Sequence, residues 1–241
     1  MPIYGHRARI GYTSPPSATE VFPYEFYKIV PDGVSLVVHT LPLVERTEDE
    51  VDRSYEASLR AARIMAKAKV DILVHGGLPI NVSKGFDNLD EMTADTERQV
   101  GIPVTSSATA QREAFKTLGC KKVGIVQPYD ASHDERHMQY MREFGMEPHG
   151  CARANAKFIE LGLVPDEVAP ALGREIMEKY PDVDTIYYSC PHWAMVGAID
   201  VLEKEFGVTV VQPIQAIIWQ ALRRCGVEDS IPGYGRLLRD F

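Results

Sequence analysis

The chain has 241 residues, 45% hydrophobic and 25% charged, a globular composition that excludes a disordered, collagen-like or disulfide-rich protein. Its 26 Lys and Arg against 34 Asp and Glu give a formal net charge of -8, which leaves no basic stripe for a phosphate backbone or an anionic lipid surface; neither nucleic acid nor membrane is an expected partner. No apolar run approaches the ~20 residues that span a bilayer, the first residues lack a signal-peptide core, and the four cysteines show no CxxC pair, so free thiols and a cytoplasmic location are expected.

In chain order, short β-branched runs alternate with longer amphipathic segments. Residues 9–13 and 34–40 predict two strands. Val51, Tyr55, Leu59, Ala62 and Met65 then share one helix face, and residues 70–75 predict a third strand. The run Ile102-Pro103-Val104-Thr105-Ser106-Ser107 reads as a short strand leading into a helix over 108–118. A fresh strand follows at 123–127, then a helical face through Val168, Leu172 and Ile176, strands over 185–189 and 208–211, and a last helix over 214–224. This rhythm predicts an α/β protein with parallel sheets covered on both faces. The expected organisation is a first half over 1–107 and a second over 108–213, with 214–241 completing the first half or staying with the second.

In open parallel sheets, ligands lie beyond the C-terminal strand ends. Of the four cysteines, only Cys190 follows a buried strand directly, and a helix expected to begin near Pro191 or His192 would stabilise its thiolate. Cys120, Cys151 and Cys225 read as packing residues. His133 and His137 have i, i+4 spacing but no third ligand, so a solvated helix start is expected there and no metal. GxGxxG, Walker A and GxSxG sequences are absent, which sets aside dinucleotide binding, phosphate-loop hydrolysis and the usual serine hydrolase. His75-Gly76-Gly77 offers a close backbone approach, and Thr105-Ser106-Ser107 reads as an N-cap cluster whose hydroxyls also suit a carboxylate.

The segments Ile10-Gly11-Tyr12-Thr13-Ser14-Pro15-Pro16, Gly77, Pro103-Val104-Thr105-Ser106-Ser107-Ala108, Tyr129, Ser189-Cys190 and Pro232-Gly233-Tyr234-Gly235-Arg236-Leu237 resemble arylmalonate decarboxylase and maleate cis-trans isomerase, of the aspartate/glutamate racemase superfamily. The resemblance implies two Rossmann-like halves with pseudo-twofold symmetry, an active site in the cleft between them, and no cofactor. It makes Cys190 the catalytic cysteine, Tyr129 a hydrogen-bonding residue for a substrate carboxylate, and Pro15 and Pro16 pocket-lining. Thr105, Ser106 and His192 complete the expected substrate contacts. The other thiol of two-cysteine relatives falls at Gly77.

One thiol points to a decarboxylase acting on a small carboxylate through an enediolate. The alternatives are a maleate isomerase or a racemase with His75 or His192 as a rearranged base, and a carboxylate-binding protein without turnover. The chain departs from the decarboxylase pattern at Leu78-Pro79 and Pro191-His192. Pro79 and Pro191 have no N–H, so a dioxyanion site does not carry over intact. An oligomer is compatible with this reading, and the sequence does not choose one.

Overall fold

The computed structural model describes residues Tyr4–Phe241. Strands and helices follow one another as β1 (Ala8–Pro16), α1 (Val21–Ile29), β2 (Val34–Leu43), α2 (Glu48–Lys67), β3 (Ile72–His75), α3 (Leu78–Asn81), α4 (Leu89–Val100), β4 (Val104–Ser106), α5 (Ser107–Leu118) and β5 (Lys122–Gln127). The chain continues with α6 (Asp134–Glu143), β6 (Glu147–Arg153), α7 (Val168–Lys179), β7 (Thr185–Tyr188), α8 (Val196–Phe206), β8 (Thr209–Val211), α9 (Pro213–Arg224) and α10 (Arg236–Asp240). Two compact units result. Unit 1 comprises Met1–Thr19, Phe26–Ala110 and Ile217–Asp229; unit 2 comprises Glu20–Glu25, Gln111–Ala216 and Ser230–Phe241.

Unit 1 holds a parallel sheet in the order β2-β1-β3-β4. Its middle strand β3 is apolar without alternation, and Ile72, Leu73 and Val74 are all fully buried, as expected for a strand covered on both faces. Ala62 and Met65 of α2 pack on one face against Val70, Leu73 and Val104. The start of α2 is fixed locally: Thr47 accepts from Glu50 N–H at 3.2 Å, and the Glu50 carboxylate reaches back to the N–H groups of Val44, Glu45 and Arg46.

Unit 2 repeats the plan, with a parallel sheet in the order β6-β5-β7-β8. Three expectations change here. The strand expected over 185–189 closes at Tyr188, and the helix expected near Pro191 or His192 begins only at Val196. Cys190 adopts φ 68°, and the Trp193 indole bonds back to the Ser189 carbonyl, so the chain folds through an irregular turn before α8 begins. The helix start at His133 and His137 is only half solvated: His137 is buried and donates from Nδ1 to the His133 carbonyl at 2.9 Å.

Candidate active site

The last bonds of each sheet show that the two third-strand turns are built alike. In unit 1 Thr13 lies opposite His75, and Gly76 N–H donates to the Thr13 carbonyl at 3.1 Å. In unit 2 Val126 lies opposite Tyr188, and Ser189 N–H donates to the Val126 carbonyl at 2.9 Å. The next residue turns left-handed in both cases, Gly77 at φ 83° and Cys190 at φ 68°. By this register Gly77 corresponds to Cys190, Pro15 to Pro128, and Pro16 to Tyr129.

In unit 2, Cys190 is half-buried while Ser189, Pro191, His192 and Trp193 around it are all buried, so its thiol is the reachable group of the turn. The Trp193 indole donates to the Ser189 carbonyl at 3.0 Å and closes the turn from inside. Burial pushes the other thiols up, Cys120 and Cys225 to about 11 and Cys151 to about 12, which leaves them protonated at neutral pH and slow as nucleophiles. The α8 N-terminus does not serve Cys190 as the sequence implied, because the Glu25 carboxylate already accepts the N–H groups of Met195 at 3.0 Å and Val196 at 3.2 Å.

His192 is buried near the Phe22 ring, with centroids 6.2 Å apart, and burial holds its pKa down to about 3. It is therefore a neutral imidazole at neutral pH and brings no positive charge to the thiol. Next along the sheet edge, Tyr129 sits on the turn after β5. Gln127 Oε1 accepts its N–H at 2.9 Å, and Gln127 Nε2 donates to Asp134 Oδ1 at 2.9 Å; Asp134 in turn pairs with Arg153, whose guanidinium holds the carboxyl below its usual range. The Tyr129 ring packs against His133 and His137, with centroids 4.9 and 6.0 Å away. Those histidines thus serve as ring neighbours of Tyr129. Among the described residues no group of three or more His, Cys, Asp or Glu is placed to hold a metal ion.

In unit 1, the buried Pro15 and Pro16 end β1, and a Cβ on Gly77 would stand 2.7 Å from Pro15 Cγ. Glycine is favoured there by φ and by space. Thr105 and Ser106 come to the same sheet edge with their hydroxyls engaged. Thr105 Oγ1 donates to Gln220 Oε1 at 2.6 Å, and Ser106 Oγ accepts from Thr109 N–H at 3.0 Å. Asn81 Oδ1 takes the Ala108 N–H at 3.2 Å, so the start of α5 is capped from within. His75 is fully buried, neither ring nitrogen has a hydrogen-bond partner among the described residues, and burial lowers its pKa to about 4.

Sequence reasoning reached Cys190, Tyr129 and Gly77 through strand ends and resemblance. The strand end at Gln127-Pro128-Tyr129 was legible too, while no local signal marked Glu25 or Trp193.

A family model described as arylmalonate decarboxylase matches residues 10–238. The chain belongs to the arylmalonate decarboxylase family. It is 27% identical over 230 residues to the arylmalonate decarboxylase of Bordetella bronchiseptica, covering 95% of each chain. Over 138 residues it is 30% identical to the maleate isomerase of Nocardia farcinica, covering 56% of this chain and 54% of the relative. A solved arylmalonate decarboxylase variant in liganded form, with a glycine changed to cysteine and a cysteine to serine, matches at TM-score 0.86 and 26% identity, covering 95% of this chain and 98% of that chain. As an arylmalonate decarboxylase family member, this chain is an enzyme of the decarboxylases and isomerases in the aspartate/glutamate racemase superfamily. Among its described residues no helix is long and apolar enough to cross a membrane.

Proposed function

We propose that the enzyme decarboxylates a small malonate-type dicarboxylate without a cofactor, through an enediolate that Cys190 protonates. The observation that carries this reading is the pair of matched turns: the left-handed position holds a reachable thiol at Cys190 and a glycine at Gly77. A racemase needs a base and an acid, and a maleate isomerase of the usual two-thiol kind needs a nucleophile as well. One thiol suffices to protonate a carbanion.

The step balances as follows. The bond from the α-carbon to one carboxylate breaks, carbon dioxide leaves, and the electron pair remains on the α-carbon and the retained carboxylate as an enediolate. The Cys190 S–H proton passes to the α-carbon, and solvent returns a proton to the thiolate. Hydrogen-bond donors that hold the enediolate charge supply most of the acceleration. The Tyr129 hydroxyl is our candidate for one of them. Pro79 and Pro191 offer no N–H, so the substrate differs from arylmalonate in how its retained carboxylate is held. We place the protein in the cytoplasm, where its four free thiols stay reduced.

Proton NMR in deuterium oxide with a panel of substituted malonates, maleate and acidic amino acids tests this reading. One deuteron at the α-carbon of a decarboxylated product, formed at an unchanged rate after exhaustive chelation, is the expected result. Fumarate from maleate, with no malonate turned over, would replace the reading by isomerisation.

A further inference from the structure

The segment that carries Cys190 leaves the sheet at Ser189 and re-enters regular structure at Val196, and its two ends are held by different means. At the strand end, Ser189 N–H bonds to Val126 and the buried Trp193 indole bonds back to the Ser189 carbonyl. At the helix end, one oxygen of Glu25 accepts two backbone N–H groups, those of Met195 and Val196. Glu25 lies 170 residues away in sequence and its side chain is 3% exposed. A carboxylate that deep is costly unless hydrogen bonds compensate it, and the start of an 11-residue helix provides both donors and a favourable dipole.

Between these anchors Cys190 holds φ 68°, a conformation that costs an L-residue energy and that the following Pro191 disfavours further. Such a conformation persists only where its surroundings over-determine it. Release of the helix end would let the turn relax and carry the thiol away from its working position.

We propose that Glu25 is the positioning residue of Cys190, acting through the α8 start to hold the thiol where it meets the α-carbon. The inference rests on the assignment of Cys190 as the proton donor. The contribution is one of reach: an oxygen must arrive at the Met195 and Val196 N–H groups, and a neutral amide oxygen there serves nearly as well as a carboxylate.

The test compares wild type, Glu25→Gln, Glu25→Asp and Glu25→Ala by two readouts. The first is the rate constant for iodoacetamide alkylation at Cys190, followed by peptide mass spectrometry with Cys120 and Cys225 as internal references and no substrate present. The second is kcat against KM for whichever carboxylate the enzyme turns over. Misplacing a reacting group by an ångström costs about a hundredfold, so Glu25→Ala should lower kcat by roughly that factor with KM changed less than about threefold. Its Cys190 alkylation should shift by about tenfold, a part of the same geometric factor, while the reference cysteines stay unchanged. Glu25→Gln, which keeps the reach, should stay within about fivefold of wild type on both readouts, whereas Glu25→Asp, shorter by one methylene, should follow the alanine variant.

Wild-type alkylation and kcat in a folded Glu25→Ala would overturn the proposal. If that variant does not fold, the order of the other two decides: activity kept by Asp and lost by Gln would mean that charge, not reach, is what matters. Because alkylation needs no substrate, it tests positioning even if Cys190→Ala turned over normally and the proton-donor assignment itself failed.

Discussion

The turn after β3 and the turn after β7 share a strand register, a cross-strand hydrogen bond and a left-handed residue, yet one carries glycine and the other a thiol followed by proline. In unit 1 the conformation is free, since Gly77 has no Cβ. In unit 2 the same conformation is forced on Cys190 and held by Trp193 and Glu25. The difference teaches that the backbone of the turn belongs to the fold, while the side chain within it is free to differ between the units. A thiol in this place is retained at a cost in stability that glycine avoids.

Removing the thiol is the strongest way to separate the two turns. Cys190→Ala should lower turnover by about 10²–10⁴-fold, the range for loss of a general acid, without loss of fold. Cys190→Gly should be equally inactive but more stable than the alanine variant by about 1 kcal/mol, because glycine accepts φ 68°. Equal stability of the two in urea titration would remove the strain from the comparison.

Each turn also carries a buried histidine, His75 and His192, with pKa values held near 4 and 3 by burial. Below the ordinary value of 6.5 the unfolded chain binds protons that both folded imidazoles refuse. Stability is therefore fully present above pH 6.5 and falls as pH drops towards 4, by something on the order of 5 kcal/mol near pH 4.5 for the two histidines together. Urea unfolding at pH 7 and 4.5 measures this, and His75→Leu should reduce the slope.

Gly77→Cys brings the unit 1 turn towards its counterpart. With φ 83° and Pro15 Cγ only 2.7 Å from the new Cβ, it should cost about 2 kcal/mol, part of which Pro15→Ala should restore. Thermal melts of the two single variants and the double variant decide this, and additive losses would show that Pro15 is not what the new side chain meets. The smallest effect concerns the first-strand ends, Pro16 and Tyr129. Tyr129→Phe keeps the ring among His133, His137 and Phe158 and removes one donor, so KM should rise about tenfold with the melting temperature unchanged.

Much of the fold was legible because buried parallel strands such as Ile72–His75 and Lys122–Gln127 are dense in β-branched residues. β6 was harder to read: Pro148, His149 and Gly150 mask its pattern, and pairing with β5 is what makes it a strand. Of α4's residues only Leu89 and Thr96 are buried, so its helical pattern lies mainly in where the charged side chains fall and not in an apolar stripe. At the candidate site, Cys190 was legible because it follows a buried strand. Its supports were not, since Glu25 acts across 170 residues and the irregular turn between Cys190 and α8 has no mark in the composition.

The central claim, that Cys190 delivers the proton, is tested most directly by turnover in deuterium oxide of the malonate found to be the best substrate, comparing wild type with Cys190→Ser. Wild type should give a product with one deuteron at the α-carbon and a single configuration, while Cys190→Ser, whose hydroxyl is a far weaker acid, should be slower by at least about a hundredfold. Equal rates and the same configuration from a folded Cys190→Ser would contradict the account.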